Sequence, residues 1–237
     1  MLIVGEARMK IAGIQRLTLL DYPGKVACTV FLAGCNMRCV FCHNSNMLDM
    51  KCKAAVSEEE LFDFLKKRRG LLDGVCITGG EPLLSPKIEP FIRKIRELGF
   101  AIKLDTNGSR PDVLKALVNE GLLDYVAMDI KNAPDRYAKT IGLDVFSIES
   151  IRESVAFLLR DALDYEFRTT VVDEFHDEAA FLEIGKWITG ARRYFLQPFL
   201  DSDFVPKKGL HAPSHDRLLR CKEVVRPFVN MVDIRGI

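Results

Sequence analysis

Short apolar runs rich in β-branched residues alternate with helical periods along most of this chain, and that alternation limits the folds open to it. Ser57 and Glu60 have the spacing of a capping box, which predicts the start of the first helix. Strands are predicted at 26–32, 75–78, 101–105, 125–130, 165–172, 194–199 and 229–235, and further helices at 88–98, 111–120, 147–159 and 178–189. Because helices connect successive strands, the strands are expected to pair in parallel.

The number of strand–helix units predicts an incomplete barrel. A closed parallel barrel has eight units, whereas this chain has about six. We therefore expect an α/β fold, a partial (β/α)6 parallel barrel with a C-terminal helix and strand, and a doubly wound sheet is the alternative. Residues 10–237 contain no linker, so we interpret them as a single domain behind an N-terminal extension of residues 1–9. In either architecture, functional loops lie at the carboxyl ends of the strands.

Charge and cysteine content exclude several classes of function. The 237 residues include 34 Lys and Arg against 33 Asp and Glu, so the net charge of +1 gives no electrostatic reason to expect nucleic acid or an anionic membrane. No apolar run approaches the roughly 20 residues of a bilayer span, and residues 1–10 lack the apolar core of a signal peptide. We therefore expect a cytoplasmic protein. In that reducing compartment, seven cysteines indicate metal binding or catalysis rather than disulfides.

Three of the cysteines, Cys35, Cys39 and Cys42, are spaced as C-x3-C-x2-C. A structural zinc site needs four ligands, and the next candidates, His43 and Cys52, do not form a second pair. The C-x2-C-H pattern that ends at His43 also matches haem c attachment, but that modification ordinarily follows export. An iron–sulfur cluster uses all three thiolates and leaves one iron free to bind substrate. The spacing therefore favours a cluster with Cys35, Cys39 and Cys42 as its ligands.

Polar residues follow three later strands and are expected at the same end of the sheet as the cysteines. Gly79-Gly80 permits close backbone approach, so that Glu81 or backbone groups can meet an ammonium group, although a plain strand-ending turn also fits. Asp105 and Asp129 each end a strand. A buried carboxylate there needs a cation or a donor, whereas an isolated one would cap a helix.

At these residues the chain resembles the radical S-adenosylmethionine (SAM) superfamily. That superfamily's C-x3-C-x2-C loop follows the first barrel strand and has an aromatic residue before the third cysteine, the place of Phe41 here. The resemblance continues through Gly79-Gly80-Glu81-Pro82, Asp105-Thr106-Asn107-Gly108 and Asp129-Ile130-Lys131. It implies one [4Fe-4S] cluster whose open iron chelates SAM, and reductive cleavage of SAM to a 5′-deoxyadenosyl radical that abstracts hydrogen from the substrate. It also implies that the Gly79-Gly80-Glu81 turn receives the SAM amino group.

Within the superfamily, the chain resembles the activating enzymes of glycyl radical enzymes. Their Asp-Thr-Asn-Gly and Asp-x-Lys motifs fall on residues 105–108 and 129–131, which implies contacts with a monovalent cation and the SAM carboxylate. Arg168 corresponds to a basic residue near SAM, with a surface arginine as the alternative. Those enzymes often have His after a Pro-aromatic pair, whereas Leu200 follows Pro198-Phe199 here. The implied cofactor-binding residues are Phe41, His43, Gly79, Gly80, Glu81, Asp105, Thr106, Asn107, Asp129, Lys131 and Arg168.

The beginning of the chain narrows the resemblance further. Residues 14–25 and 31–36, together with Cys42-His43-Asn44, resemble activating proteins of anaerobic ribonucleoside-triphosphate reductase. That resemblance implies a glycyl radical enzyme as partner, an anaerobic ribonucleotide reductase first of all, and a flavodoxin- or ferredoxin-type electron donor. Two alternatives are a radical SAM enzyme acting on a small molecule such as a deazapurine precursor, and a non-catalytic zinc-binding module.

The remaining cysteines and histidines are given no role in the predicted site. Cys52 is the sole cysteine between Cys42 and the second predicted strand, so no second cluster is expected. Buried structural thiols are predicted for Cys28, Cys76 and Cys221. Solvated surface positions are predicted for His176, His211 and His215.

Overall fold

The computed structural model describes residues 9–236, and eight strands in them form one sheet whose order follows the sequence. The strands are β1 (Ile11–Thr18), β2 (Ala27–Leu32), β3 (Gly74–Gly79), β4 (Ala101–Thr106), β5 (Tyr125–Asp129), β6 (Asp164–Val171), β7 (Tyr194–Pro198) and β8 (Val232–Ile234). The helices are α1 (Glu58–Lys67), α2 (Ile88–Glu97), α3 (Pro111–Asn119), α4 (Tyr137–Thr140), α5 (Glu149–Leu158), α6 (Glu178–Trp187) and α7 (His215–Val225).

The sheet has the topology of an open parallel barrel. Strands β2 to β8 pair in parallel, and β1 pairs antiparallel with β2. Since the strand order never reverses, the sheet is not doubly wound. Crossovers between parallel strands are right-handed as a rule, and with this strand order the rule places the connecting helices on one side of the sheet. Within the described residues β1 and β8 are not paired with each other. The predicted partial (β/α)6 barrel, with α7 and β8 as its C-terminal helix and strand, is confirmed.

Most element boundaries follow from the sequence patterns, and β1 does not. The capping box of α1 is present, because the Ser57 side chain accepts from the backbone of Glu60 and the Glu60 side chain accepts from the backbone of Ser57. Strand β1 lacks the alternation of buried and exposed residues that identifies a strand, and its register with β2 shifts twice. It is an irregular edge strand that pattern analysis misses.

A small cluster of side chains fills the amino-terminal end of the barrel. Tyr22 is buried there against Ala27 and Tyr125, the first residues of β2 and β5, and against Ala127. A Cβ atom at Gly74, the first residue of β3, would lie 2.9 Å from a ring carbon of Tyr22. Glycine at that position therefore leaves room for the tyrosine ring. The opposite end of the barrel, at the carboxyl ends of the strands, contains a pocket.

Several predictions about single residues can be checked in the fold. The thiols of Cys28, Cys76 and Cys221 are buried, and His211 and His215 are exposed, all as predicted. Residues 1–8 of the predicted N-terminal extension lie outside the described residues, and Met9, its last residue, is buried in the core. No helix in the described part of the chain has the length and apolar character needed to cross a membrane.

Candidate active site at the carboxyl ends of the strands

A pocket with a cavity volume of about 220 Å³ opens at the carboxyl ends of β2 to β7. All the predicted site residues except Glu81 lie on its wall: Cys35, Cys39, Phe41, Cys42, His43, Gly79, Gly80, Asp105, Thr106, Asn107, Asp129, Lys131 and Arg168. These residues come from five separate stretches of sequence. Parallel pairing brings the stretches together, since every βα connection begins at the same edge of the sheet.

The two glycines after β3 allow the cysteine loop to lie against the end of that strand. Gly79 has a φ of 118°, and a Cβ atom at Gly80 would lie 2.1 Å from the carbonyl oxygen of Gly34, the residue before the first loop cysteine. The backbone N–H of Glu81 donates to that same carbonyl at 2.7 Å. The close backbone approach predicted for Gly79-Gly80 is therefore present, and the segment approached is the chain just before Cys35.

The three loop cysteines present free thiols to one side of the pocket. Cys39 is buried and Cys35 and Cys42 are half-buried. Burial raises the pKa of all three thiols, that of Cys39 to about 12, and the ammonium of Lys131 opposes this effect. Among residues 9–236, no three His, Cys, Asp or Glu side chains are placed to hold a single metal ion. Three cysteines on one loop can serve as the donor set of an iron–sulfur cluster, and binding would require their deprotonation.

Charged side chains from β4, from β5 and the residues just after it, and from β6 form the floor of the pocket. Arg168 contacts Asp105 at 3.2 Å and Asp129 at 3.0 Å, and Lys131 contacts Asp129 at 2.9 Å. Burial raises the pKa of the Asp129 carboxyl, but Arg168 and Lys131 outweigh burial and lower it to about 2. The Arg168 side chain is 13% exposed, so the alternative of a surface arginine is wrong. Neither aspartate is an isolated helix cap, because both are paired with cations.

Glu81 lies behind the pocket wall and connects the ends of β3 and β4. Its carboxylate accepts hydrogen bonds from the Thr106 hydroxyl at 2.8 Å, the Asn107 backbone at 2.6 Å and the Leu83 backbone at 3.1 Å. Burial raises the pKa of this carboxyl to about 7, although the three hydrogen bonds oppose the shift. Glu81 therefore positions two of the predicted site residues and does not itself face the pocket.

His176 is a buried neighbour of the site, so the prediction of a solvated surface position is wrong. Its Nδ1 accepts from the backbone N–H of Val172 at 3.0 Å, and its Nε2 lies 2.9 Å from the carbonyl oxygen of Lys131. The ring also contacts Phe41 edge-on, with 6.4 Å between ring centroids. His176 thereby connects the cysteine loop to the segment after β5. The sequence around His176 is polar, with Glu174 and Asp177 as neighbours, and such polarity is typical of a surface position.

Six further residues line the pocket that sequence reasoning did not select: Met37, Asn44, Leu48, Thr78, Thr170 and Gln197. A signal was available for some of them. Thr170 follows Arg168 by two residues and therefore shares its face of β6. Gln197 lies on β7 directly before the Pro198-Phe199 pair that lacks a following histidine, and the Phe199 ring packs against His43 with centroids 5.5 Å apart.

Comparison with known proteins gives a family and a fold. The family model described as the Radical SAM superfamily matches residues 29–181. The chain is 32% identical to a Methanocaldococcus jannaschii protein provisionally named a glycyl-radical enzyme activating enzyme, over 96% of both chains. It is 24% identical to the 7-carboxy-7-deazaguanine synthase of Methanopyrus kandleri, over 78% of this chain and 89% of that one.

A solved structure shows the same fold at low sequence identity. Streptococcus suis SuiB bound to S-adenosylmethionine aligns with a TM-score of 0.67 and 13% identity, over 86% of this chain and 48% of its own. At that identity the likeness concerns the fold alone. It agrees with the open, mostly parallel barrel described above.

Proposed function

Because this chain is a member of the radical SAM superfamily and a radical SAM enzyme, we propose that it generates a glycyl radical on a partner enzyme. The observation that carries this proposal is the full-length similarity to the Methanocaldococcus jannaschii protein, whose provisional name describes that activity. Membership of the superfamily implies a [4Fe-4S] cluster and SAM. It leaves no support for the alternative of a non-catalytic zinc-binding module.

We assign the cluster to Cys35, Cys39 and Cys42, whose thiols share one loop and one side of the pocket. When bound there, the cluster would supply the electron that cleaves the bond between the sulfonium sulfur and C5′ of SAM. Lys131 would stabilise the thiolates, since its ammonium acts on the buried thiol of Cys39. The surrounding pocket wall would limit the access of water to the radical.

The charged floor suits the polar groups of SAM. Lys131 and Arg168 can attract the SAM carboxylate, while Asp129 and the backbone around Gly79 and Gly80 can attract its ammonium group. The other predicted residues on the pocket wall would contact the remainder of the molecule. The resemblance also suggests a monovalent cation beside Asp105 and Thr106. Calorimetric SAM titrations in sodium, potassium and tetramethylammonium salts test for that cation.

The mouth of the pocket suits a polypeptide substrate. Leu200 and Phe204 are 64% and 53% exposed on the loop after β7. That loop lies beside the pocket, because the carbonyl of Phe204 accepts from Ser45 and the Phe199 ring packs on His43. Exposed apolar side chains next to a reaction site mark a surface that a protein partner can cover. We propose an anaerobic ribonucleotide reductase as that partner and a cytoplasmic flavodoxin- or ferredoxin-type protein as electron donor.

A small-molecule substrate is the second candidate function. It is favoured by the similarity to the 7-carboxy-7-deazaguanine synthase of Methanopyrus kandleri, which is more distant than the similarity to the Methanocaldococcus jannaschii protein. The same cluster and SAM chemistry would serve either substrate. The two candidates differ in what accelerates SAM cleavage, a protein or a soluble metabolite.

The test mixes the anaerobically reduced enzyme, SAM and an anaerobic ribonucleotide reductase. We expect SAM cleavage well above the rate without partner, and an electron paramagnetic resonance doublet from a glycyl radical split by its remaining α-hydrogen. A matched reaction uses a reductase whose radical-bearing glycine is replaced by alanine, and should give no doublet. If glycyl radical enzymes leave SAM cleavage at its background rate while a deazapurine precursor accelerates it, the small-molecule function replaces the proposed one.

A further inference from the structure

The side-chain amide of Asn107, just after β4, lies against the sulfur of Cys35. Its Nδ2 is 3.8 Å from the Cys35 Sγ and 3.1 Å from the Oδ1 of Asn36. An amide nitrogen has two N–H groups, so these two acceptors use both of them. Asn107 is 5% exposed, and its amide therefore has little solvent to turn toward.

The orientation of this amide is fixed by its other contacts. Its Oδ1 accepts the backbone N–H of Ser109 at 2.9 Å, and its own backbone N–H donates to Glu81 at 2.6 Å. Exchanging the amide oxygen and nitrogen would set a donor against the Ser109 N–H and an acceptor against the Asn36 oxygen. The hydrogen-bond network thus permits one assignment, in which an N–H group faces the Cys35 sulfur.

The three loop cysteines differ in their donors. The sulfur of Cys35 also accepts the backbone N–H of Met37 at 3.4 Å, and a backbone N–H of Asn44 contacts Cys42. Within residues 9–236, no side-chain donor contacts the sulfur of Cys39 or Cys42. Asn107 therefore differs from the other donors to the loop cysteines, because its N–H belongs to a side chain and can be removed by substitution.

We propose that Asn107 is a positioning residue that raises the reduction potential of the cluster through an N–H···S hydrogen bond to Cys35. Reduction adds one electron and makes the cluster and its thiolates more negative, so a donor to a ligand sulfur stabilises the reduced form more than the oxidised form. This role differs from the SAM contact that the sequence resemblance implies for Asn107. It rests on Cys35 being a cluster ligand, and not on the identity of the substrate.

The test measures the midpoint potential of the [4Fe-4S] couple in wild type and variants without SAM or partner. Asn107→Leu removes the donor, and we expect the equilibrium constant for reduction to fall about fivefold, which is about 40 mV at 59 mV per tenfold change. Asn107→Asp keeps the size of the side chain, removes the donor and adds negative charge, so its potential should fall at least as far. Ser109→Ala removes a hydroxyl that accepts from the Asn36 side chain, but it keeps the Ser109 backbone N–H that orients the Asn107 amide, and it should keep the wild-type potential.

The proposal would be overturned if Asn107→Asp contained as much iron and sulfide as wild type and its cluster had the wild-type midpoint potential. If Asn107→Leu does not assemble a cluster, Asn107→Ala, which removes the donor and adds no charge, takes its place, because the fall in Asn107→Asp includes the effect of the added charge. An equal fall in potential in Ser109→Ala would also overturn it, because the effect would then belong to the loop as a whole. No glycyl radical is measured, so these outcomes are independent of whether the proposed function holds.

Discussion

Removing the charge of Arg168 should destabilise the fold more than most single substitutions at the pocket. Its guanidinium contacts both Asp105 and Asp129, and its side chain is 13% exposed. Arg168→Met keeps an unbranched apolar chain and leaves two carboxylates that are 13% and 29% exposed short of a cation. Breaking a buried ion pair costs about 3–5 kcal/mol. Because Asp129 keeps Lys131 and Asp105 keeps Lys103, we expect the lower end of that range, about 3 kcal/mol at pH 7.

The pH dependence gives this prediction a second readout. Burial raises the pKa of Asp129, but Arg168 and Lys131 outweigh it and lower the value from 3.8 to about 2. Ionised Asp129 therefore stabilises the folded protein at pH values above the pKa that this carboxyl has in the unfolded chain. That stabilisation is lost as the pH falls from about 4 toward 2. In Arg168→Met the pKa of the Asp129 carboxyl in the folded protein rises. The difference in unfolding free energy between wild type and variant should therefore become smaller as the pH falls from 7 to 4.

Urea unfolding of the cluster-free, reduced protein at pH 7 and pH 4.5 measures the deficit. The control is Arg226→Met, which removes an arginine that is 71% exposed beside Glu223 and should leave stability essentially unchanged. A deficit below about 1 kcal/mol at pH 7, or a deficit that grows toward acid pH, would refute the reasoning.

Three further predictions concern the same end of the barrel. Replacing any one of the three loop cysteines by alanine should abolish SAM cleavage and lower iron and sulfide content, whereas Cys28→Ala should retain both in anaerobic metal analysis and chromatography of 5′-deoxyadenosine. Asp129→Ala should weaken SAM binding in calorimetry more than it lowers iron content. Lost iron with normal SAM affinity would instead indicate that Asp129 supports the cluster. Because burial raises the pKa of Glu81 to about 7, wild type should lose stability as the pH rises from 5 to 7. The Glu81→Gln variant should lack that loss of up to about 3 kcal/mol in unfolding measurements.

The repeating part of the fold could be predicted from sequence because its signals are local. Helices α1, α2 and α6 each bury one face, and their apolar residues recur three or four apart. The cysteine spacing and the strand-end motifs are likewise local, and parallel strands bring them together without further information. The three thiols, Asp105 and Asp129 could therefore be predicted from the residues themselves, whereas Lys131 and Arg168 were implied by the resemblance to the radical SAM superfamily.

The parts that the sequence did not predict depend on contacts between distant segments. Whether Glu81 faces the pocket or the turn behind it depends on Thr106 and Asn107, which follow it by 25 and 26 residues. The burial of His176 depends on its contact with the backbone of Lys131, 45 residues away. Strand β1 owes its place to pairing with β2, since its own pattern of exposure has no period of two.

Isotope transfer from the partner tests the central claim most directly. An anaerobic ribonucleotide reductase carrying deuterium on the α-carbon of its radical-bearing glycine is mixed with the reduced enzyme and SAM, and 5′-deoxyadenosine is examined by mass spectrometry. If a 5′-deoxyadenosyl radical abstracts that hydrogen, one deuterium should appear in the 5′-deoxyadenosine as the glycyl radical forms. Unlabelled 5′-deoxyadenosine, produced at the same rate with and without the partner, would contradict the claim that this radical SAM enzyme activates a glycyl radical enzyme.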